Sequence, residues 1–245
     1  MKKCSSNFLA AVLVVMLAIC SPVWADVAID EANFPDEVFR EYVSGLDNNK
    51  DGSLSDSEIA AVTVIDVHKK EYYYYYDFEE SEDKISSLKG IEYFTSLESL
   101  DCSYNTITEL DLSKNTALVR LNCSSNYVED YTHLKSRRIY YLESLNVTGC
   151  RNLQELYCEF NGLKTLDVSS NTALKKLNCE INNLRTLDIT NNQALTELNC
   201  QGNSLTTLDL SKNTALMELA CGYNNLIALD VSKNTNLTML ACWSN

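Results

Sequence analysis

Residues 195–215 read LTELNCQGNSLTTLDLSKNTA, and this stretch decides the fold. Leucine opens further copies at Leu97, Leu118, Leu153, Leu174, Leu216 and Leu237, and five of the six steps between successive openings are 21 residues long. A fixed period of that length marks a solenoid, whose single turns cannot bury their apolar side alone. Within each copy a shorter pattern occurs twice: Leu195, Leu198, Cys200 and Asn203 are echoed by Leu205, Leu208, Leu210 and Asn213. In a strand, residues two apart point the same way. Leu198 and Cys200 therefore face a core while Asn199 faces out, and Leu208 and Leu210 face it while Asp209 faces out. The pattern predicts two parallel sheets enclosing leucine, valine, isoleucine and cysteine.

Asn105, Asn126, Asn161, Asn182, Asn203, Asn224 and Asn245 recur where the chain must turn out of the first strand. A carboxamide there can bond backbone groups of its own and adjacent coils, which makes the column a mechanical ladder. Taken together, residues 60 to 245 resemble the leucine-rich repeat family, in the nested 21-residue form of bacterial surface proteins. The resemblance implies an α/β-repeat solenoid with two parallel β-sheets. It also implies a recognition role of the internalin-like class, with an extracellular protein or glycan as partner.

The chain begins MKKCSSNFLAAVLVVMLAICSPVWA: two lysines, an apolar run from Phe8 to Cys20, then Val23 and Ala25 at the small-residue positions before a cut. This reads as a signal peptide over residues 1–25, too short and too early for a membrane span. The alternative is a lipoprotein acylated at Cys20, against which Ile19 is a large neighbour. The expected mature chain is secreted or displayed at the cell surface, with no membrane insertion. Without Lys2 and Lys3 its formal charge moves from -14 to -16. Such a surface repels nucleic acid and suits cations or basic partners.

Eight cysteines in an exported chain ordinarily suggest disulfides. Seven of these, Cys102, Cys123, Cys158, Cys179, Cys200, Cys221 and Cys242, share one repeat position. In register on parallel strands they would lie about 4.8 Å apart, whereas a relaxed bridge needs Cβ atoms about 3.8 Å apart. The expectation is a row of buried free thiols acting as small hydrophobes. Cys150 stands where the second asparagine of a copy normally sits and is expected to be free too.

Ahead of the repeats, residues 26–61 form a separate region. ANFPDEVFREYVSGL has helical spacing, with Phe34, Val38, Phe39 and Tyr42 on one side, Asn33 or Asp36 as cap, Pro35 in the first turn and Gly45 at the end. It is the one clear amphipathic helix of the sequence and should cover the solenoid's N-terminal end. Behind it, DNNKDGSLSDSE places Asp47, Asn49, Asp51, Ser53, Ser55 and Glu58 at positions 1, 3, 5, 7, 9 and 12 of a calcium loop, with Gly52 at the sharp turn and Leu54 directed inward. Hard oxygen donors at that spacing suit a seven-coordinate calcium ion; the other reading is a loop that keeps the turn without the ion. Residues 30 to 62 resemble the EF-hand-like cap that precedes many bacterial leucine-rich repeat domains, which implies a structural calcium.

Two stretches break the period of the solenoid at 62–245. Val62 to Leu97 and Leu118 to Leu153 are each 35 residues, and the surpluses fall at about 68–84 (HKKEYYYYYDFEESEDK) and 127–141 (YVEDYTHLKSRRIYY). Both should bulge from one edge of the solenoid. Tyrosine and arginine are frequent at binding hot spots, which makes Tyr73, Tyr74, Tyr131, Arg137 and Arg138 candidate partner-binding residues. Mutual packing of the two insertions and plain disorder are the competing readings. His68 and His133, the only histidines, have no fixed metal-site spacing.

Comparing copies separates the faces. Asp111, Asp167, Asp188, Asp209 and Asp230 form a uniform column on the second expected sheet, suited to stacking hydrogen bonds. The first sheet's outward positions vary, and Tyr157, Phe160 and Ile181 would lie near the centre of a binding surface beside the second insertion. No nucleophile, base or phosphate loop stands at interpretable spacing, so no enzyme is expected. The alternative to recognition is a structural or assembly module of the envelope. Leu237 to Asn245 is half a turn, so continuation into a longer protein or cover by another chain is expected.

Overall fold

The computed structural model describes residues 26–69, 83–130 and 137–245. The signal-peptide reading and candidates Tyr73, Tyr74, Tyr131 and His133 lie outside these residues.

The chain begins with β1 (Val27–Ala28), helix α1 (Glu37–Ser44), β2 (Ser53–Leu54) and helix α2 (Asp56–Ala61). There are thus two short helices here where the sequence reading saw one: Ser55 caps α2 through a reciprocal capping box with Glu58. Asp36 caps α1 by accepting the Phe39 N–H at 3.0 Å. Phe34, Phe39 and Val43 are fully buried and join one hydrophobic cluster with the repeat leucines.

Parallel strands then follow at one per coil: β3 (Val64–Asp66), β4 (Ser99–Asp101), β6 (Arg120–Asn122), β10 (Glu155–Tyr157), β11 (Lys176–Asn178), β12 (Glu197–Asn199), β13 (Glu218–Ala220) and β14 (Met239–Ala241). Their register puts Ile65, Leu100, Leu121, Leu156, Leu177, Leu198, Leu219 and Leu240 in one inward row. All but Leu240 are buried, and Leu240 is 45% exposed because no coil stacks on β14 here. The cysteine row behaves as expected: all eight described cysteines are free, and only Cys242, on that same last coil, is exposed. Burial pushes the Cys179 thiol up to about 12 and that of Cys221 to about 11.

The second sheet is a correction. Among the described residues, only β5 (Glu109–Asp111) and β9 (Ser144–Asn146) pair on that side. In later coils the aspartate oxygens turn back onto the backbone N–H two residues on, at 2.9 Å for Asp167 with Ser169 and 2.8 Å for Asp209 with Ser211. The same turn follows the paired strands, with Ser113 N–H to Asp111 Oδ1 at 2.9 Å and Thr148 N–H to Asn146 Oδ1 at 3.1 Å, so it shapes the exit from the segment in paired and unpaired coils alike. Asp167 and Asp209 thus bond within their own coils, whereas Asp111 also accepts the Asn146 amide of the next coil at 2.9 Å. Single backbone bonds join neighbouring coils there, such as Asn183 N–H to the Leu163 carbonyl at 2.9 Å.

Two asparagine columns supply the rest. In the first, Asn182 Oδ1 accepts the Leu163 N–H at 3.0 Å while its amide donates to the Cys158 and Cys179 carbonyls at 2.9 and 3.2 Å. Asn105, Asn203 and Asn224 repeat this, while Asn126 accepts the Ile107 N–H and donates to carbonyls of its own coil. The second column, Asn115, Asn171, Asn192, Asn213 and Asn234, donates only to carbonyls, and its side-chain oxygens have no partner. Cys150 takes the place of one member and donates Sγ–H to the Leu112 carbonyl at 3.2 Å.

Candidate functional site

Exposed side chains on the strand face of the solenoid are fixed by the register just described. One column runs Ser99, Arg120, Glu155, Lys176, Glu197, Glu218, Met239, and the next runs Asp101, Asn122, Tyr157, Asn178, Asn199. Arg120 pairs with Glu155 across adjacent strands and lies 5.1 Å from the centre of the Tyr157 ring. Lys176 pairs with Glu197 at 2.8 Å. These charges neutralise each other locally, leaving Tyr157 half-buried with one ring face braced by a guanidinium. Burial, then the Glu155 carboxylate, raises the Tyr157 phenol above its ordinary value, so it remains a hydroxyl at neutral pH.

The described part of the second insertion is the base of a hairpin: β7 (Tyr127–Asp130) pairs antiparallel with β8 (Arg137–Tyr140). Tyr127 and Tyr140 face each other across it with ring centres 5.9 Å apart. Arg138 sits 4.9 Å from the Tyr127 ring centre and 5.5 Å from that of Phe160. The hairpin base is thereby clamped to the sheet beside Tyr157, which brings candidates Arg138, Tyr157 and Phe160 together on one face. Arg137 is placed on the same hairpin by its backbone register with Asp130.

Phe160 and Ile181 occupy the turn column, with φ of 55° and 48°, alongside Tyr104, Ser125 and Tyr223. Left-handed backbone is costly for any residue with a Cβ, and most for a β-branched one. In the next coil the position is Gly202, where an added Cβ would meet Ile181 Cγ1 at 2.9 Å. The Ile181 side chain therefore covers the turn of its neighbour.

Glu159 is a feature that the repeat pattern did not single out. It lies between Tyr157 and Phe160, and its Oε2 is buried without a hydrogen-bond partner. Burial, then the charges of Glu180 and Asp101, raises its carboxyl above the ordinary value.

The loop at residues 47–58 forms a second candidate site. Asp47 accepts N–H groups from Lys50 and Gly52 at 2.7 and 2.9 Å, and Glu58 accepts from the Asn48 and Ser55 N–H groups and the Ser55 hydroxyl. The Ser55 hydroxyl and these N–H groups hold the Glu58 carboxyl below its usual value. Asp51 accepts from Ser53 N–H at 2.9 Å, and Asn49 Oδ1 accepts from Asp51 N–H at 3.0 Å. Lys50 and Gly52 adopt φ of 60° and 85°, which wraps the chain into a tight turn. Leu54 is fully buried and anchors the loop to the core.

A family model described as leucine-rich repeats (2 copies) matches residues 95–136. Internalin J of Listeria monocytogenes serotype 4b (strain F2365) is 36% identical over 84 residues, which are 34% of this chain and 8% of that protein. Among solved structures, the functional domain of InlJ from Listeria monocytogenes, described as including a cysteine ladder, is 29% identical, with 88% of this chain and 56% of that one covered and a TM-score of 0.43. A leucine-rich repeat protein of Leptospira interrogans is 18% identical, with 78% and 46% covered and a TM-score of 0.60. The chain thus spans less than two thirds of these relatives. Residues 95–136 thus match a leucine-rich repeat model, the partial relatives include internalins, and the fold is a parallel sheet with few helices. No helix among the described residues is long and apolar enough to cross a membrane.

Proposed function

We propose that this leucine-rich repeat chain is a secreted or surface-displayed recognition protein. It binds an extracellular protein or glycan on the exposed face of its parallel sheet, without enzymatic chemistry. The observation that supports this most is the constellation at the hairpin base: Tyr157 braced by Arg120, and Phe160 clamped through Arg138 to Tyr127. Rigid aromatic rings beside guanidinium groups give large contact area at low entropic cost, as binding hot spots do. Pre-ordering by the repeat scaffold further lowers the cost of association. That leucine-rich repeat proteins are commonly protein binders supports the reading.

The loop at 47–58 is proposed to hold one structural calcium ion through Asp47, Asn49, Asp51, Ser55, Glu58 and the Ser53 carbonyl. Every one of these donors is a hard oxygen, and their backbone bonds keep the loop in its turn, which fits the ion's chemistry. When bound, the ion would neutralise the converging carboxylates. The EF-hand-like loop and α1 then act together as an N-terminal cap, with Phe34 and Phe39 closing the first coil.

The test is a biolayer-interferometry panel of extracellular matrix proteins and bacterial and host glycans against the chain from Asp26. A specific ligand should be captured, and Tyr157→Ala with Phe160→Ala should abolish capture at an unchanged thermal midpoint. Capture that survives both changes would reject the sheet face as the recognition surface.

A further inference from the structure

Away from the hairpin, at the N-terminal end of the same sheet, two donors close in sequence meet a third from the next coil. Strand register sets Asp66 directly beside Asp101 on the neighbouring strand. His68 lies two residues beyond Asp66, and its Nδ1 is 2.5 Å from Asp66 Oδ1. The His68 nitrogen and one carboxylate oxygen from each aspartate all fall within 4.8 Å of one another. Both aspartates are on the solvent side of the sheet, and His68 and Asp66 are about half exposed. A cavity of about 330 Å³ opens on Asp66 and His68, lined also by Glu41, Tyr42 and Lys69.

We propose that Asp66, His68 and Asp101 form a binding site for a divalent transition-metal ion of the zinc type. One imidazole nitrogen with two carboxylate oxygens is a borderline donor set, suited to zinc and its neighbours and distinct from the all-oxygen loop at 47–58. Three protein donors leave the remaining positions to water or to a group brought by a partner. The supporting shell is already in place around Asp101. Its Oδ1 accepts from the Ser103 N–H and hydroxyl at 3.1 and 2.6 Å, and its Oδ2 accepts the Asn122 amide at 2.9 Å. Bonds of this kind orient a ligating carboxylate. An ion between the donors would replace the direct contact of Asp66 with His68.

The site is independent of the calcium loop, and the two are told apart by metal and by residue. Isothermal titration calorimetry of the chain from Asp26, with zinc chloride and separately with calcium chloride, reads both. Zinc should bind at one site to the wild type and to Asp47→Ala. His68→Ala and Asp101→Asn should each weaken zinc at least about tenfold, as loss of a ligand does. Equal zinc affinity in wild type, His68→Ala and Asp101→Asn would overturn the assignment and leave an adventitious ion only. So would the absence of zinc heat at 100 micromolar protein, which would leave the three residues as a hydrogen-bonded surface cluster. Circular dichroism of each variant, unchanged from wild type, shows that a lost signal reports the ligand and not the fold.

Discussion

Replacing one asparagine from each column by alanine should have unequal costs, and the structure sets the sizes. Asn182→Ala removes the only acceptor of the buried Leu163 N–H. The Cys158 carbonyl keeps a second donor from Asn161, so the orphaned N–H dominates. An unsatisfied buried donor costs about 1–3 kcal/mol, and the lost amide bonds bring the total to about 3 kcal/mol. Asn192→Ala removes bonds to the Val168 and Asn171 carbonyls. Both carbonyls still accept a backbone N–H, from Asn171 and Leu174 at 3.0 Å each, and the Asn192 oxygen had no partner to lose. Its cost is about 1–1.5 kcal/mol. Cysteine sharpens the contrast, because Cys150 already serves in the second column: Asn192→Cys should cost under about 1 kcal/mol, while Asn182→Cys, with no acceptor for Leu163, should cost about as much as alanine. Equilibrium urea unfolding followed by circular dichroism, with unchanged slope, measures all four. Equal losses in the two columns would refute the division of labour between them.

Glu159→Gln should raise the thermal midpoint at pH 7. The carboxyl's folded value is raised, so its ionisation opposes folding fully above that value, and the penalty disappears below the unfolded value; the gain should therefore vanish by about pH 4. A lower midpoint at pH 7 would contradict the unpartnered assignment. Brief labelling of the chain from Asp26 with a maleimide at pH 7 should modify Cys242 alone, and all eight thiols only after unfolding. Rapid labelling of Cys158 or Cys179 in the folded chain would overturn the buried row. Calcium titration should release heat with wild type and none with Asp47→Ala, and silence from both proteins would end the calcium proposal.

The 21-residue step made the coil, its leucine row, its thiols and its first asparagine column legible, because each copy repeats the same physical demand at Leu198, Cys200 and Asn203. The second sheet was misread because Leu208 and Leu210 alternate as a strand would. Asp209, between them, accepts the Ser211 N–H, and Asp111 accepts the Ser113 N–H in the same way within paired β5, so the aspartate pattern does not separate coils that pair from coils that do not. The hairpin carrying Arg138 was hidden by its tyrosines, which signal contact without signalling a pairing direction. Tyr157 and Phe160 could be placed beside that insertion from register alone, whereas their braces Arg120 and Arg138 depend on side-chain directions. Asp66 and Asp101 are 35 residues apart in sequence, across the first insertion. Only the parallel register makes them neighbours.

The most direct measurement is the hydrogen–deuterium exchange footprint of the captured ligand on the chain. Protection is predicted at 120–122, 127–130, 137–140 and 155–160, where Arg120, Tyr157, Phe160 and the hairpin share one face. Protection confined instead to the aspartate turns at 164–169 and 185–190, on the opposite side of the coil, would contradict the account.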